Sequence, residues 1–237
     1  MKLSAPIPVL KRRAKALARD IGISHNQALD QIARQEGFQS WSLLSARAGQ
    51  FCAGLFGQLV AGDFVLLGAR PGQGKTLLGL RTLLDAIATG QRGYFFTLEY
   101  TSAQVLERIR QIGANPTQVG PQFILDTSDG ISAAHIVAQT RRAPTGSCIV
   151  VDYLQLLDQR RENPPLADQI TTLRDHAQTR SLMIIMISQI DRSYDLSTKT
   201  VPDISDVRLP NPIDMGLFTK ACFLHEGEVV ISSHSSG

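Results

Sequence analysis

The sequence predicts an α/β protein with a mainly parallel sheet covered by helices on both faces, preceded by a small three-helix segment. Three observations carry this reading. From residue 64 onward, short near-continuous apolar runs alternate with stretches of helical periodicity, the pattern of strands buried on both faces. The 237 residues, 43% hydrophobic and 19% charged, suffice for one large core and a small appendage. The basic excess sits at one end. Residues 1–48 hold eight Lys or Arg against three Asp or Glu, and the remainder holds sixteen against eighteen.

The N-terminal segment reads as helices over Val9–Asp20, a second ending at Gly37, and a third over Trp41–Arg47. Leu10, Ala14, Leu17 and Ile21 share one face of the first helix, and Gly22 stops it. Ser24 with Gln27 forms a capping box, and Ala28, Leu29, Ile32 and Ala33 point inward from the second helix. Ser40 caps the third. The corner at Ala18–Ser24 is a partial match to a helix-turn-helix. A small docking or oligomerisation bundle fits the pattern better, because Ala28 and Gln31 stand where bulky apolar residues belong. Residues 1–48 are therefore expected to form a basic helical unit for docking, oligomerisation or DNA contact, and 49–237 the main domain, entered through a Gly-rich connection.

Strands are expected at Phe64–Leu67, Gly93–Leu98, Phe123–Leu125, Cys148–Val151 and Leu182–Ile187, with helices over Thr76–Ala88, Ser102–Ile112, Ser132–Arg142 and Ala167–Gln178. Cys222–Leu224 and Val229–Ile231 flank Glu226-Gly227-Glu228 as a terminal hairpin. The longest apolar run, Ser181–Ile187, is too short to span a bilayer, and the start does not resemble a secretory signal. Cys52, Cys148 and Cys222 stand far apart, which argues against a disulfide scaffold or zinc ribbon and for a reducing, cytoplasmic setting.

The chemistry is concentrated at the ends of the expected strands. Ala69-Arg70-Pro71-Gly72-Gln73-Gly74-Lys75-Thr76 follows a strand and opens a helix, the Walker A form with Ala at its first position. Its backbone N–H groups, from Arg70 to Leu77, can wrap the phosphates of ATP at a helix N-terminus. Lys75 supplies a charge to the β and γ phosphates, and Thr76 a hydroxyl to Mg²⁺. Cys148-Ile-Val-Val-Asp152 is the Walker B partner. A buried Asp152 is costly unless a cation or hydrogen bonds offset it. Hydrolysis also needs a group that orients or deprotonates water. Tyr153 follows Asp152, so the candidate is Glu99, which ends the strand Tyr94–Leu98, on the same edge of a parallel sheet as the Walker loop. A helix-start acid is the other reading of Glu99. Gln189 ends a strand on the same edge, as a γ-phosphate sensor or a satisfied strand-end amide.

These blocks together resemble the ATPase domain of the DnaB-type replicative helicases, within the RecA-like P-loop group. The resemblance rests on ARPGQGKT at 69–76, FFTLE at 95–99, VVDYLQLL at 150–157, ISQIDRS at 187–193 and, more weakly, SDVR at 205–208. It covers roughly residues 52–231. It implies an ATP-hydrolysing, Mg²⁺-dependent ring, usually a hexamer, that moves along single-stranded DNA. Glu99 then matches the catalytic glutamate, Asp152 the Walker B aspartate, and Gln189 the sensor glutamine. Arg160, Arg161 and Arg192 fall on the segments that face the channel and become candidate phosphate contacts, with a solvated basic pair as the other reading of Arg160 and Arg161. Three departures stand out. The basic helices replace the family's N-terminal collar, Leu209-Pro-Asn-Pro212 replaces an acidic stretch, and no residue matches the arginine that reaches a neighbour's site. They motivate a second expectation, a nucleotide-dependent switch or assembly ATPase that docks a protein partner through residues 1–48.

Overall fold

The computed structural model describes residues 4–5, 7–41, 44, 54–158, 163–190, 202–207, 213–225 and 228–233. Two helices come first, α1 (Ile7–Ile21) and α2 (His25–Gln35). Gly22 turns the chain between them with φ +68°, a left-handed conformation that suits glycine. Ser24 caps α2 through the expected box, accepting from the Gln27 N–H while the Gln27 side chain accepts from Ser24 N–H. Leu10, Ala14, Ala28, Ile32, Ala33 and Leu44 form a small core of their own. Ile21 departs from expectation and is 53% exposed. It is the last residue of α1, and the chain turns away at Gly22 before α2 can cover it. Of the expected third helix only Trp41 and Leu44 are described. Leu44 N–H donates to the Ser40 carbonyl, one helical turn, and the Asp30 carboxylate takes the Trp41 N–H at 2.8 Å.

The main domain is a seven-stranded sheet in the order β3-β2-β4-β5-β1-β6-β7. The strands are β1 (Phe64–Ala69), β2 (Gly93–Thr97), β3 (Phe123–Asp126), β4 (Cys148–Asp152), β5 (Met183–Gln189), β6 (Lys220–His225) and β7 (Glu228–Ser233). All neighbours pair parallel except β6 with β7, which form the expected terminal hairpin. The helices are α3 (Lys75–Ala88), α4 (Ser102–Gln111), α5 (Ala133–Thr140) and α6 (Leu166–Arg180).

Side chains alternate across the pleat, so each central strand feeds two cores. Val65, Leu67, Phe95, Val150, Ile185 and Ile187 meet Leu80 and Leu83 of α3 and Val105 and Ile109 of α4. Phe64, Leu66, Phe96, Val151, Ile184 and Met186 meet Ile136 of α5 and Ile170 and Leu173 of α6. This two-sided burial is why the strands read as continuous apolar runs. At the start of β1, Asp63 accepts from Val60 N–H, the Thr219 hydroxyl and the Lys220 ammonium, tying β1 to β6. Phe64 stacks on Phe218 at 4.8 Å between centroids.

Most boundaries fall within two or three residues of expectation. Two shifts matter for function. β2 stops at Thr97 and not Leu98, because the Thr97 hydroxyl accepts the N–H groups of Glu99 (3.1 Å) and Tyr100 (3.3 Å) and bends the chain off the sheet. β5 runs two residues further than expected, through Gln189, whose Cα partner is Ala69. Among the described residues no helix is long and apolar enough to cross a membrane.

Candidate functional site

The C-terminal ends of β1, β2, β4 and β5 meet at one edge of the sheet, where open α/β sheets hold ligands. β5 lies between β1 and β4, so the Walker A loop and Asp152 face each other across one strand. The loop crest at Pro71 and Gly72 is exposed, and Lys75 and Thr76 open α3 in buried positions. Gly72 and Gly74 adopt φ +78° and +94°. A Cβ at Gly74 would meet nothing closer than Leu224 at 3.8 Å, so backbone conformation and not space demands glycine there. Gly74 stands at the N-cap of α3 and makes no side-chain cap hydrogen bond, and the first N–H groups of any helix have no partner within it.

The Thr76 hydroxyl donates to Asp152 Oδ2 at 2.8 Å, joining the start of α3 to β4. Asp152 is 1% exposed, and its other oxygen, Oδ1, is buried without a hydrogen-bond partner. Burial pushes the Asp152 carboxyl up to about 6. Thr76 lowers it, Glu99 raises it further, and Lys75 and Arg108 draw it back. The Asp152–Tyr153 peptide is cis. Lys75 Nζ stands 5.9 Å from the centre of the Tyr153 ring. A hydroxyl beside a carboxylate with a spare, dry oxygen is a hard-oxygen donor set that fits Mg²⁺, an ion that keeps much of its water and shares its site with phosphates. Among the described residues no three His, Cys, Asp or Glu side chains gather into an all-protein metal cage.

Glu99 emerges from the turn after β2 and is exposed. Its Oε1 accepts from the Tyr100 hydroxyl at 2.9 Å. The Arg108 guanidinium, two turns along α4, lies 4.0 Å from the Tyr100 ring centre, and its buried Nε has no hydrogen-bond partner. Burial and the Glu99 carboxylate push the Tyr100 phenol above its ordinary range, with Thr76 and Arg108 opposing. Gln189 is half-buried at the end of β5, between the ends of β1 and β4. From the turn that follows β4, Gln155 Nε2 donates to the Ser188 hydroxyl (2.9 Å) and the Gln189 carbonyl (3.3 Å).

The fold thus gathers Arg70 to Leu77, Glu99, Asp152 and Gln189 at one edge. Arg160, Arg161 and Arg192 lie outside the described residues. Tyr100, Arg108 and Gln155 escaped the sequence reading. Tyr100 is adjacent to Glu99, and Gln155 stands inside the DYLQL block, so both had a positional signal. Arg108 had none beyond helical phase.

A model described as DnaB-like helicase C terminal domain matches residues 111–215. A second, described as Glyoxalase superfamily protein, matches residues 5–69, which hold α1, α2 and β1. A probable plasmid replicative DNA helicase of Chlamydia trachomatis is 29% identical over 182 residues, 63% of this chain and 40% of that protein. The replicative DNA helicase DnaB of a Nostoc species is 28% identical over 178 residues, 62% of this chain and 20% of its own length. The chain therefore spans well under half of these relatives. A solved DnaB-like replicative helicase superposes with a TM-score of 0.61 at 17% identity, covering 96% of this chain and 72% of that one. A KaiC-like protein of Pyrococcus horikoshii gives a TM-score of 0.55 at 16% identity, covering 77% and 86%. At such identities the superpositions speak for the fold alone. Residues 111–215 are thus similar to the DnaB-like helicase C terminal domain, and the sheet and its helices share their fold with solved DnaB-like and KaiC-like proteins.

Proposed function

We propose that this protein binds and hydrolyses ATP with Mg²⁺ and uses the cycle, as a ring of identical subunits, to move along single-stranded DNA. The observation that supports it is the convergence of Lys75, Thr76, Asp152 and Glu99 on one sheet edge, with the Thr76–Asp152 hydrogen bond already made. The Walker A backbone cradles the β and γ phosphates, and Lys75 offsets their charge. Thr76 and Asp152 hold Mg²⁺, which supplies charge neutralisation at the phosphate oxygens when bound. Glu99 orients a water and accepts its proton. The water oxygen bonds to the γ-phosphorus, the bond to the β–γ bridging oxygen breaks, and ADP and phosphate leave.

Gln189 reports loss of the γ-phosphate. From the Walker B turn, Gln155 donates to the Ser188 hydroxyl and the Gln189 carbonyl, so a shift at Gln189 reaches both segments assigned to the channel. Arg160, Arg161 and Arg192 on those segments contact the DNA backbone without reading sequence. Residues 1–48, which carry eight Lys or Arg and whose described part has its own small core, form a docking unit for a protein partner or for DNA. Nothing among the described residues favours the switch-only alternative over the motor.

The test is steady-state ATP turnover with and without single-stranded DNA, against Lys75→Ala, with light scattering in the presence of ATP. The expected result is Lys75-dependent turnover that DNA stimulates in a ring-sized species. Tight nucleotide binding with slow turnover that DNA leaves unchanged overturns the motor and leaves the switch.

A further inference from the structure

Among the groups assigned a chemical role at this edge, Glu99 is exposed where Lys75, Thr76 and Asp152 are buried. An exposed glutamate has three rotatable bonds and samples many rotamers, which costs a catalyst its geometry. Three contacts oppose that freedom. The Thr97 hydroxyl takes both the Glu99 and the Tyr100 N–H, so the backbone of the turn is set from a buried side chain of β2. The Arg108 guanidinium lies against the Tyr100 ring, so the ring is set from α4. The Tyr100 hydroxyl then donates to Glu99 Oε1, which fixes the carboxylate and leaves Oε2 for a water.

We propose that Tyr100 is a positioning residue: braced by Arg108, its hydroxyl holds the Glu99 carboxylate beside the γ-phosphate position. This rests on Glu99 being the group that handles the water. It predicts a split between chemistry and binding. Tyr100→Phe keeps the ring and the Arg108 contact and removes the hydroxyl alone. Turnover then falls about tenfold while KM for ATP stays within about twofold.

The experiment compares Tyr100→Phe, Glu99→Gln and the double variant in ATP turnover. It adds carboxyl ¹³C spectra of the nucleotide-free protein labelled on glutamate. The Glu99 resonance is identified by its loss in Glu99→Gln. Three results support the proposal together: a lowered kcat at unchanged KM in Tyr100→Phe, a displaced Glu99 resonance, and no further loss when Tyr100→Phe is added to Glu99→Gln. If Glu99→Gln collapses turnover but Tyr100→Phe leaves kcat within about twofold and the resonance in place, the positioning role is overturned and the base reading stands. If Glu99→Gln itself turns over normally, the base reading falls and takes this proposal with it.

Discussion

The two halves of the nucleotide edge are built differently. On one half, Thr76 and Asp152 are buried, hydrogen-bonded to each other, and anchored on a helix start and a central strand. On the other, Glu99 is exposed, stands in a turn past the end of β2, and owes its orientation to a neighbouring phenol. The buried half stores a cost. Asp152 Oδ1 has no partner, and a dry carboxylate oxygen is expensive until a cation meets it. The exposed half stores none. Burial at a site that awaits a ligand therefore trades stability of the empty protein for ligand affinity, whereas a solvated base trades order for low cost. Substitutions in the two halves should lose activity alike and differ in stability.

The largest combined effect, on turnover and nucleotide binding together, is expected in the Walker A loop. Lys75→Ala removes a buried lysine from the proposed phosphate loop and should cut turnover at least about a hundredfold, with nucleotide binding weakened and the fold kept by circular dichroism. The sharper comparison is Asp152→Asn against Glu99→Gln. Both should lose turnover by about 10²–10⁴-fold. Asp152→Asn removes a buried charge and should raise the melting temperature of the nucleotide-free protein at pH 7.5, on the order of 1–3 kcal/mol in stability. Glu99→Gln should leave that temperature within about one degree, because an exposed carboxylate carries little stability. Equal melting shifts in the two variants would erase the distinction between the halves. Gly74→Ala is intermediate. It forces a Cβ into φ +94°, costs about 1–3 kcal/mol, and turns the loop's N–H groups away from the phosphates. It should lower both melting temperature and ATP affinity, read by calorimetry.

The strands were legible because two-sided burial writes an unbroken apolar run, as in Cys148–Val151 and Met183–Ile187. The phosphate loop was legible because its glycines are required by backbone conformation at fixed spacing. Asp152 and Glu99 were legible as acids ending such strands. Tyr100 and Arg108 were not, because their roles come from a turn set by Thr97 and from the rotation of α4 about its axis, neither of which a linear pattern encodes. The exposure of Ile21 was missed for a related reason. Periodicity places it on the right face of α1, but only the partner's reach decides whether that face is covered.

The smallest effect separates burial alone from burial at a site. His176 on α6 is half-buried against α5, where its Nε2 meets the Thr140 hydroxyl at 2.9 Å. Thr140 already gives its proton to the Ile136 carbonyl, so the imidazole supplies the proton of this contact. Burial, then the nearby Arg180, lowers the His176 pKa below 6.5. Below pH 6.5 the unfolded chain takes up a proton that the folded protein resists, so stability is full above that pH and declines as pH falls through it. The decline should be well under about 1 kcal/mol, because water reaches the ring and screens Arg180. His176→Gln keeps a donor for Thr140 and removes the titration, so its melting temperature should fall less than the parent's between pH 7 and 5.5. Parallel curves for the two proteins would mean that partial burial away from the edge costs nothing measurable, and that the stored cost at Asp152 belongs to complete burial.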